Sequence, residues 1–342
     1  MAKRILGGVT SVRVGRGVLS AVADGAEPMI GVLVQPGARH VATRVIADLE
    51  DRGIPVAMRV LPDSEAAKSL TVVEETVDWL RQVGLRRNGV LLGIGGGALT
   101  DTAGFIASVY MRGVEARYVP TTLLGAVDAA IGGKTALNVA GKNLVGTFAH
   151  PERVIIDVEV LEGLGDDLLA EGMAEALKAG FVGDPGLVDL LESEGLRADL
   201  ADVVERAIAV KAAIVDADFR EAGVRAHLNF GHTVGHAIET LTAWSHGNSV
   251  AVGMVAAAAI SQSVCGFDGA DRLVSAVASL GLPTECSGPN RSDVHRMVQS
   301  DKKSDCGGTR MVLLEAIGRP LVSPVDAATL DHGLDAIGIG ER

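Results

Sequence analysis

The sequence predicts two domains, an N-terminal α/β domain with a parallel sheet and an all-α C-terminal domain, on three observations. At 342 residues the chain exceeds the roughly 250–300 residues at which one hydrophobic core stops growing. Short β-branched apolar runs alternate with amphipathic stretches through the first half, which is the mark of βαβ units. After Val154-Ile-Ile-Asp157 the pattern changes to Leu, Ala, Val and Ile at three- and four-residue spacing, which reads as helix. The boundary falls near Gly165, in Leu161-Glu-Gly-Leu-Gly-Asp-Asp167, giving domains of 1–165 and 166–342.

The strands expected in the first domain are Ile30–Val34, Val56–Val60, Val90–Ile94 and Ala116–Val119, with helical patterns between them. A hydrophobic share of 48% with 22% charged residues is globular, and an aromatic share of 3% leaves Ala, Val, Leu and Ile to fill the core. A formal charge of −12 argues against general affinity for nucleic acid or anionic membranes, so a phosphate ligand must meet a local basic cluster. No apolar stretch long enough for a secretory signal follows the basic start Met1-Ala-Lys-Arg4. The longest apolar segment, Val250–Ile260, is far short of the roughly 20 residues that span a bilayer and reads as a buried helix. Cys265, Cys286 and Cys306 are odd in number and widely spaced, which fits a reducing cytoplasm.

Val90-Leu-Leu-Gly-Ile-Gly-Gly-Gly-Ala-Leu-Thr-Asp101 reads as a strand, a triple glycine at Gly95, Gly96 and Gly97, and a helix start. Such a turn lets backbone N–H groups approach a pyrophosphate at the positive helix end, in the manner of a Rossmann-like nucleotide-binding domain, although a glycine turn also serves packing alone. Asp101 near the helix start and Pro120-Thr-Thr122 after the next strand would share the carboxyl edge of the sheet, where such folds bind ligands. The run Asp128 to Asn143 sets one carboxylate, Lys134, Lys142 and amides among small residues, which suits an anion or a solvated loop.

Arg225-Ala-His-Leu-Asn-Phe-Gly-His-Thr-Val-Gly-His-Ala-Ile-Glu239 sets His232 and His236 on one helix face, and His246 follows in Ser245-His-Gly247. Imidazoles suit a zinc-type ion, and the remaining ligand is expected to be a carboxylate. Glu175 meets that need, on a helix of small and apolar residues shared with Lys178.

These pieces, in this order, resemble the 3-dehydroquinate synthase family of sugar phosphate cyclases. The resemblance is carried by Gly95-Gly-Gly97 with Asp101, Tyr110-Met-Arg-Gly113, Pro120-Thr-Thr-Leu-Leu124, Asp128, Gly132-Gly-Lys134, Gly141-Lys-Asn143, Glu175-Ala-Leu-Lys178, Lys211, Arg225 to Glu239 and His246-Gly247. It extends to Pro62-Asp-Ser-Glu-Ala-Ala-Lys68 upstream and to Asp301-Lys-Lys303 and Val312-Leu-Leu-Glu-Ala-Ile-Gly318 downstream. It implies a dehydroquinate synthase-like fold, with NAD and a divalent metal, zinc or cobalt, as cofactors. The metal would be held by Glu175, His232 and His246, leaving His236 to face substrate. NAD would meet Glu65, Lys68, the three glycines, Asp101, Thr121 and Thr122, with Asp128 and Lys142 near ribose, nicotinamide and substrate. Substrate phosphate would meet Lys134, Asn143, Asn229, His236, Lys302 or Lys303, and Arg112, which in the family reaches across a homodimer interface. Lys178 and Lys211 would contact hydroxyls or carboxylate, and Arg225 would grip the carboxylate with a fork that Lys cannot reproduce. The implied reaction is conversion of 3-deoxy-D-arabino-heptulosonate 7-phosphate to 3-dehydroquinate and phosphate.

Two departures bear on substrate choice: the loop Asn138–Asn143 is one residue shorter than in the family, and Asn248-Ser249 replaces the commoner Glu-Ala. Cyclases acting on sedoheptulose 7-phosphate or glucose 6-phosphate have no substrate carboxylate and no need of Arg225, whereas the amino-analogue cyclase shares that need. Metal-dependent alcohol and glycerol dehydrogenases share the architecture, but they would release NADH stoichiometrically and have no use for the lysine set. A regulatory nucleotide-binding module would bind NAD without metal.

Overall fold

The computed structural model describes residues 2–23, 28–301 and 309–340, and the chain divides into two compact units, Met1–Gly165 and Asp166–Arg342. In the first unit β1 (Ala2–Leu6) and β2 (Thr10–Gly15) form an antiparallel hairpin. Successive βα steps follow: β3 (Ile30–Val34), α1 (Arg39–Asp51), β4 (Val56–Val60), α2 (Leu70–Gln82), β5 (Val90–Gly95), α3 (Gly97–Val109) and β6 (Glu115–Pro120). A separate antiparallel pair, β7 (Lys134–Leu137) and β8 (Val145–Phe148), precedes β9 (Arg153–Asp157) and the short α4 (Val158–Glu162).

The main sheet has the order β1-β2-β9-β6-β5-β3-β4, and every pairing after the first hairpin is parallel. β3 and β5 are buried at every position, which is why they read as unbroken apolar runs rather than alternating ones. From β3 the chain steps outward to β4, and from β5 it steps the other way to β6, so the strand order reverses between β3 and β5. The loops at the carboxyl ends of those two strands therefore diverge, which is where open parallel sheets place ligands. At the other side of the sheet β9 is inserted between β2 and β6. Its last residue, Asp157, is fully buried and accepts the N–H groups of Gly17 and Val18, each at 3.0 Å, while capping α4 through the N–H of Glu159.

The second unit is largely helical: α5 (Asp166–Gly183), α6 (Pro185–Glu194), α7 (Leu200–Ala217), α8 (His232–Leu241), α9 (His246–Cys265), α10 (Ala270–Ser279), α11 (Arg291–Asp301) and α12 (Ala327–Ala336). Among its described residues it departs from an all-α domain in one hairpin, β10 (Thr309–Ala316) with β11 (Arg319–Val325), before α12. Met311 to Leu314 are buried in succession on both faces, so they lack the alternation that marks a half-exposed strand. The hairpin packs on α9, where the N–H of Leu314 donates to Ser261 Oγ at 3.0 Å.

α9 is the central helix. By length and composition it could cross a membrane, yet 67% of its apolar stretch is buried inside the unit, and Val250 to Ala258 form its core. Its small residues let α8 approach to backbone contact: a Cβ on Gly253 would lie 2.1 Å from the carbonyl oxygen of Gly231 and 2.7 Å from the nitrogen of Gly235. Backbone cannot yield as a side-chain tip can, so α8 would have to move off α9. Gly253→Ala is therefore expected to lower stability by about 1–3 kcal/mol despite the better helix propensity of alanine. Because α8 starts with His232, expected from the resemblance to be a metal ligand, the same variant should also weaken divalent-metal binding if that expectation holds; thermal unfolding and metal titration check the two effects together.

Candidate active site

In the second unit the side chains of three helices converge. Glu175 and Lys178 lie one turn apart on α5, whose residues from Leu169 to Val182 are almost all buried, and their side chains are only 1% and 3% exposed. Two opposite charges in such a place must satisfy each other, and the Lys178 ammonium does contact Glu175 Oε2. The other carboxylate oxygen, Oε1, faces two imidazoles, with His246 Nε2 at 3.2 Å and His232 Nε2 at 3.4 Å.

Local structure explains the convergence. His232 opens α8 directly after Gly231, which takes φ of +80° and lies against the backbone of Met254, so only glycine fits there. His246 opens α9, whose cap is Ser245, with its hydroxyl accepting the N–H of Asn248 at 3.4 Å. The outer nitrogens of both rings have acceptors: His232 Nδ1 lies 3.2 Å from the carbonyl of Phe230 and His246 Nδ1 lies 3.3 Å from Glu239 Oε2.

The donor set fits a divalent cation. One ligand atom each from Glu175, His232 and His246 lie within 4.8 Å of one another. Bonds of about 2.1 Å at tetrahedral angles give ligand–ligand edges of about 3.4 Å, close to the observed 3.2 and 3.4 Å. Burial alone would raise the Glu175 carboxyl, but Lys178 and the imidazoles outweigh it and hold it well below the ordinary carboxylate range. Burial, helped by Lys178, pushes His232 down to about 4. Burial also opposes charge on His246, but the hydrogen bonds to Glu175 and Glu239 win and push it up to about 9.

His236 lies beside this cluster, and other expected residues lie elsewhere in the same unit. The His236 ring centroid is 5.1 Å from that of His232 and 6.0 Å from that of His246. Lys211 is buried on α7. Arg225 is 1% exposed, with Nη1 donating to the carbonyl of Phe219 at 2.5 Å and the guanidinium 6.0 Å from that residue's ring centroid. Its backbone is fixed by Asp218, whose carboxylate accepts the N–H groups of Ala222, Gly223 and Arg225 at 2.7–3.0 Å. Asn229 closes the same segment and donates to Glu221 Oε1 at 3.1 Å. Lys302 and Lys303, like Cys306, lie outside the described residues.

The first unit assembles its own set at the carboxyl edge of the sheet. Gly95 ends β5, Gly96 caps α3 and Gly97 starts it; the N–H of Gly96 donates to Oε1 of the buried Gln35, which follows β3, at 3.0 Å. A Cβ on Gly95 would lie 2.6 Å from Leu99 Cδ2, and one on Gly97 2.9 Å from Ala129 Cβ, whereas on Gly96 the nearest atom would be 3.4 Å away. Thr121 and Thr122 follow β6 and are half-buried, and Thr122 Oγ1 accepts the N–H of Gly125. Asp128 lies in a π-turn over Gly125–Ala129. Lys68 is 3% exposed, and its ammonium donates to Asp101 Oδ2 at 2.6 Å and to Asn143 Oδ1 at 2.5 Å. Glu65 accepts from Asn138 Nδ2 at 2.6 Å, and Asn138 Oδ1 accepts the N–H of Asn143 at 2.9 Å. Lys134 and Lys142 are exposed, as is Arg112, which sits with Met111 in left-handed backbone at φ +66° and +50°.

Gln35, Asn138, Asp218 and Glu221 take parts in these clusters that the motif reading did not assign, and so does Glu239. The sheet-edge rule could have found Gln35, and helical spacing from His236 could have found Glu239.

Solved structures that share this fold include glycerol and alcohol dehydrogenases and, at higher TM-scores, the class of dehydroquinate synthase-like sugar phosphate cyclases. 2-epi-5-epi-valiolone synthase from Streptomyces hygroscopicus subsp. jinggangensis, with NAD+ and Zn2+ bound, matches with a TM-score of 0.89 at 26% identity, covering 99% of this chain and 98% of that one. 2-deoxy-scyllo-inosose synthase complexed with carbaglucose-6-phosphate, NAD+ and Co2+ matches in fold with a TM-score of 0.88 at 23% identity, covering 98% of this chain and 100% of that one. Within that class, the chain belongs to the 3-dehydroquinate synthase family: the family's N-terminal model matches residues 58–171 and its C-terminal model residues 172–304. The 3-dehydroquinate synthase of Rhodococcus erythropolis is 41% identical over 323 residues, covering 90% of this chain and 87% of that protein.

The three ionisation states make a testable statement about metal uptake. At pH 7.5 Glu175 is already ionised and His232 already neutral, while His246, with a value of about 9, is protonated and must lose its proton to ligate. Binding of Zn2+ or Co2+ should release close to one proton, and affinity should rise about tenfold per pH unit until it levels near pH 9. Calorimetry in buffers of different ionisation enthalpy measures this, and release of none or two would contradict the assignment.

Proposed function

We propose that the protein catalyses the 3-dehydroquinate synthase reaction, converting 3-deoxy-D-arabino-heptulosonate 7-phosphate to 3-dehydroquinate and phosphate with catalytic NAD and a divalent cation. The observation that carries this is the match to a 3-dehydroquinate synthase at 41% identity over nine-tenths of the chain. When bound, the cation would acidify the hydroxyl being oxidised, and NAD would take a hydride and return it, so that the ketone formed in between loosens the phosphate.

The cation would be held by Glu175, His232 and His246, whose separations suit it. NAD would lie on the Gly95–Gly97 turn, with Lys68, Asp101, Glu65, Thr121, Thr122, Asp128 and Lys142 around it. Gly96 suits this reading, because the nearest atom to a Cβ there would be 3.4 Å away, so the protein's own packing leaves the backbone open to the close approach of a ligand. Lys178 holds Glu175 ionised and, with Lys211, supplies positive charge to oxyanions that develop on the substrate. Arg225, clamped through its own backbone and side chain, offers its fork to the carboxylate. Lys134, Asn143, Asn229, His236, Arg112 and Lys302 or Lys303 would receive the phosphate. The exposed, strained Met111–Arg112 turn suits a residue that acts across a homodimer. The free thiols of Cys265 and Cys286 agree with a cytoplasmic enzyme.

Incubation with the heptulosonate phosphate, substoichiometric NAD and Co2+ or Zn2+ should release phosphate over many turnovers with no lasting NADH absorbance. Stoichiometric NADH from glycerol or another alcohol, without phosphate release, would sink the proposal in favour of a dehydrogenase. Arg225→Ala should lose roughly 100- to 1000-fold in kcat/KM, as expected for removing one partner of a buried charged pair, with NAD affinity unchanged. Gly96→Ala should leave the unfolding temperature nearly unchanged while weakening NAD binding roughly tenfold or more. Gly95→Ala, by contrast, should cost about 1–3 kcal/mol of stability. Equal effects of the two glycine variants on NAD affinity and stability would assign the whole turn to packing.

A further inference from the structure

We infer that Glu239 is a positioning residue for the cation site: it fixes His246 in the tautomer and orientation that can ligate. The inference rests on the reading of Glu175, His232 and His246 as the ligand set.

His246 has two ring nitrogens with opposite tasks. Nε2 lies 3.2 Å from Glu175 Oε1 and points into the donor cluster, while Nδ1 lies 3.3 Å from Glu239 Oε2. A neutral imidazole carries one N–H, and the acceptor at Nδ1 draws it there, leaving the Nε2 lone pair for a cation. His232 is arranged in the same sense, with Nδ1 3.2 Å from the carbonyl of Phe230 and Nε2 toward Glu175. The partners differ in kind. His232 donates to a backbone carbonyl, His246 to a carboxylate, and a charged acceptor holds the ring proton and the ring's orientation more firmly than a neutral one.

Placement strengthens the case. Glu239 lies seven residues after His232 and three after His236, so one face of α8 carries a ligand and the partner of the other ligand. The contact of Gly253 on α9 with Gly231 and Gly235 locks the two helices, and with them the distance between Glu239 and His246. The Glu239 side chain is only 15% exposed, so its charge is weakly screened. An alternative use of the same atoms exists: His236, Glu239 and His246 also offer three ligand atoms within 4.8 Å. A second ion there would require His246 to give up both ring protons, a cost the hydrogen-bonded arrangement does not carry.

The test compares the full-length wild type with Glu239→Gln and Glu239→Ala after metal removal, measuring Co2+ affinity against a chromophoric chelator, stoichiometry, and the visible spectrum of bound Co2+. Wild type should take one equivalent. Glu239→Ala should bind roughly 10–100-fold more weakly. Glu239→Gln should lose less, because its amide oxygen still accepts the Nδ1 proton. Both should shift the Co2+ bands while the far-ultraviolet circular dichroism of the metal-free proteins stays put. Equal affinities and spectra in all three proteins would overturn the positioning role and leave the ligand set standing. Wild-type binding that survives Glu175→Gln together with His232→Ala would overturn the ligand set itself. Two equivalents in wild type, with only the weaker one lost in Glu239→Ala, would make Glu239 a ligand of a second ion and overturn the positioning role.

Discussion

The carboxylate of Glu175 is the charge around which the helical unit is arranged. Taking an ion of this kind out of water costs several kcal/mol even after relaxation, and nothing apolar on α5 repays it. The cost is met by Lys178 on the same helix and by the two imidazoles that α8 and α9 bring to Oε1. That requirement explains features that otherwise look unrelated. α8 must begin at the left-handed Gly231, α9 must be lined by Gly and Ala so that α8 can touch it, and Ser245 must end the loop before His246. A buried charge that needs three helices to neutralise it is a weak source of stability but a strong constraint on geometry, which is what a cation site needs.

In the α/β unit the corresponding constraint is the reversal of strand order between β3 and β5. It brings Gln35 to the N–H of Gly96 and leaves the start of α3 facing the loops after β6. Lys68 then ties three separate segments, since its one ammonium reaches both Asp101 on α3 and Asn143 in the loop between β7 and β8. Local strain accompanies these contacts: Ser64, Ala140 and Asn143 all take positive φ. Such backbone persists only where surrounding contacts over-determine it.

Much of this could be read from the sequence, and the reasons for the rest are physical. The parallel strands were legible because burial on both faces leaves continuous apolar runs bounded by glycine and proline. β1 and β2 were not, because Ala2 to Gly15 mixes arginines and glycines with its valines and gives no unbroken apolar run. β10 is illegible for the opposite reason, its buried Met311 to Leu314 being indistinguishable by period from a buried helix. In the Glu175 cluster, helical spacing alone would pair His232 with His236, yet the structure directs His232 and His246 to Glu175, because α9 returns across α8. Only tertiary packing decides which imidazole of a helix faces a carboxylate. Gln35 and Glu239 are further examples: neither is unusual in its own segment, and each acquires a role from a partner 61 or 7 residues away.

The insertion of β9 between β2 and β6 also governs when the first unit can form. β2 pairs with a strand that begins at Arg153, and the turn after β2 is held by Asp157. During synthesis the N-terminal hairpin leaves the ribosome long before its sheet neighbour exists, and loop closure over that span must precede any gain from the pairing. The β3 to β6 core can assemble as it emerges, while the hairpin waits with the edge of β2 that β9 will cover still unpaired. The N-terminal edge is thus the last part of the sheet to close, and the part most in need of protection while the chain is being made.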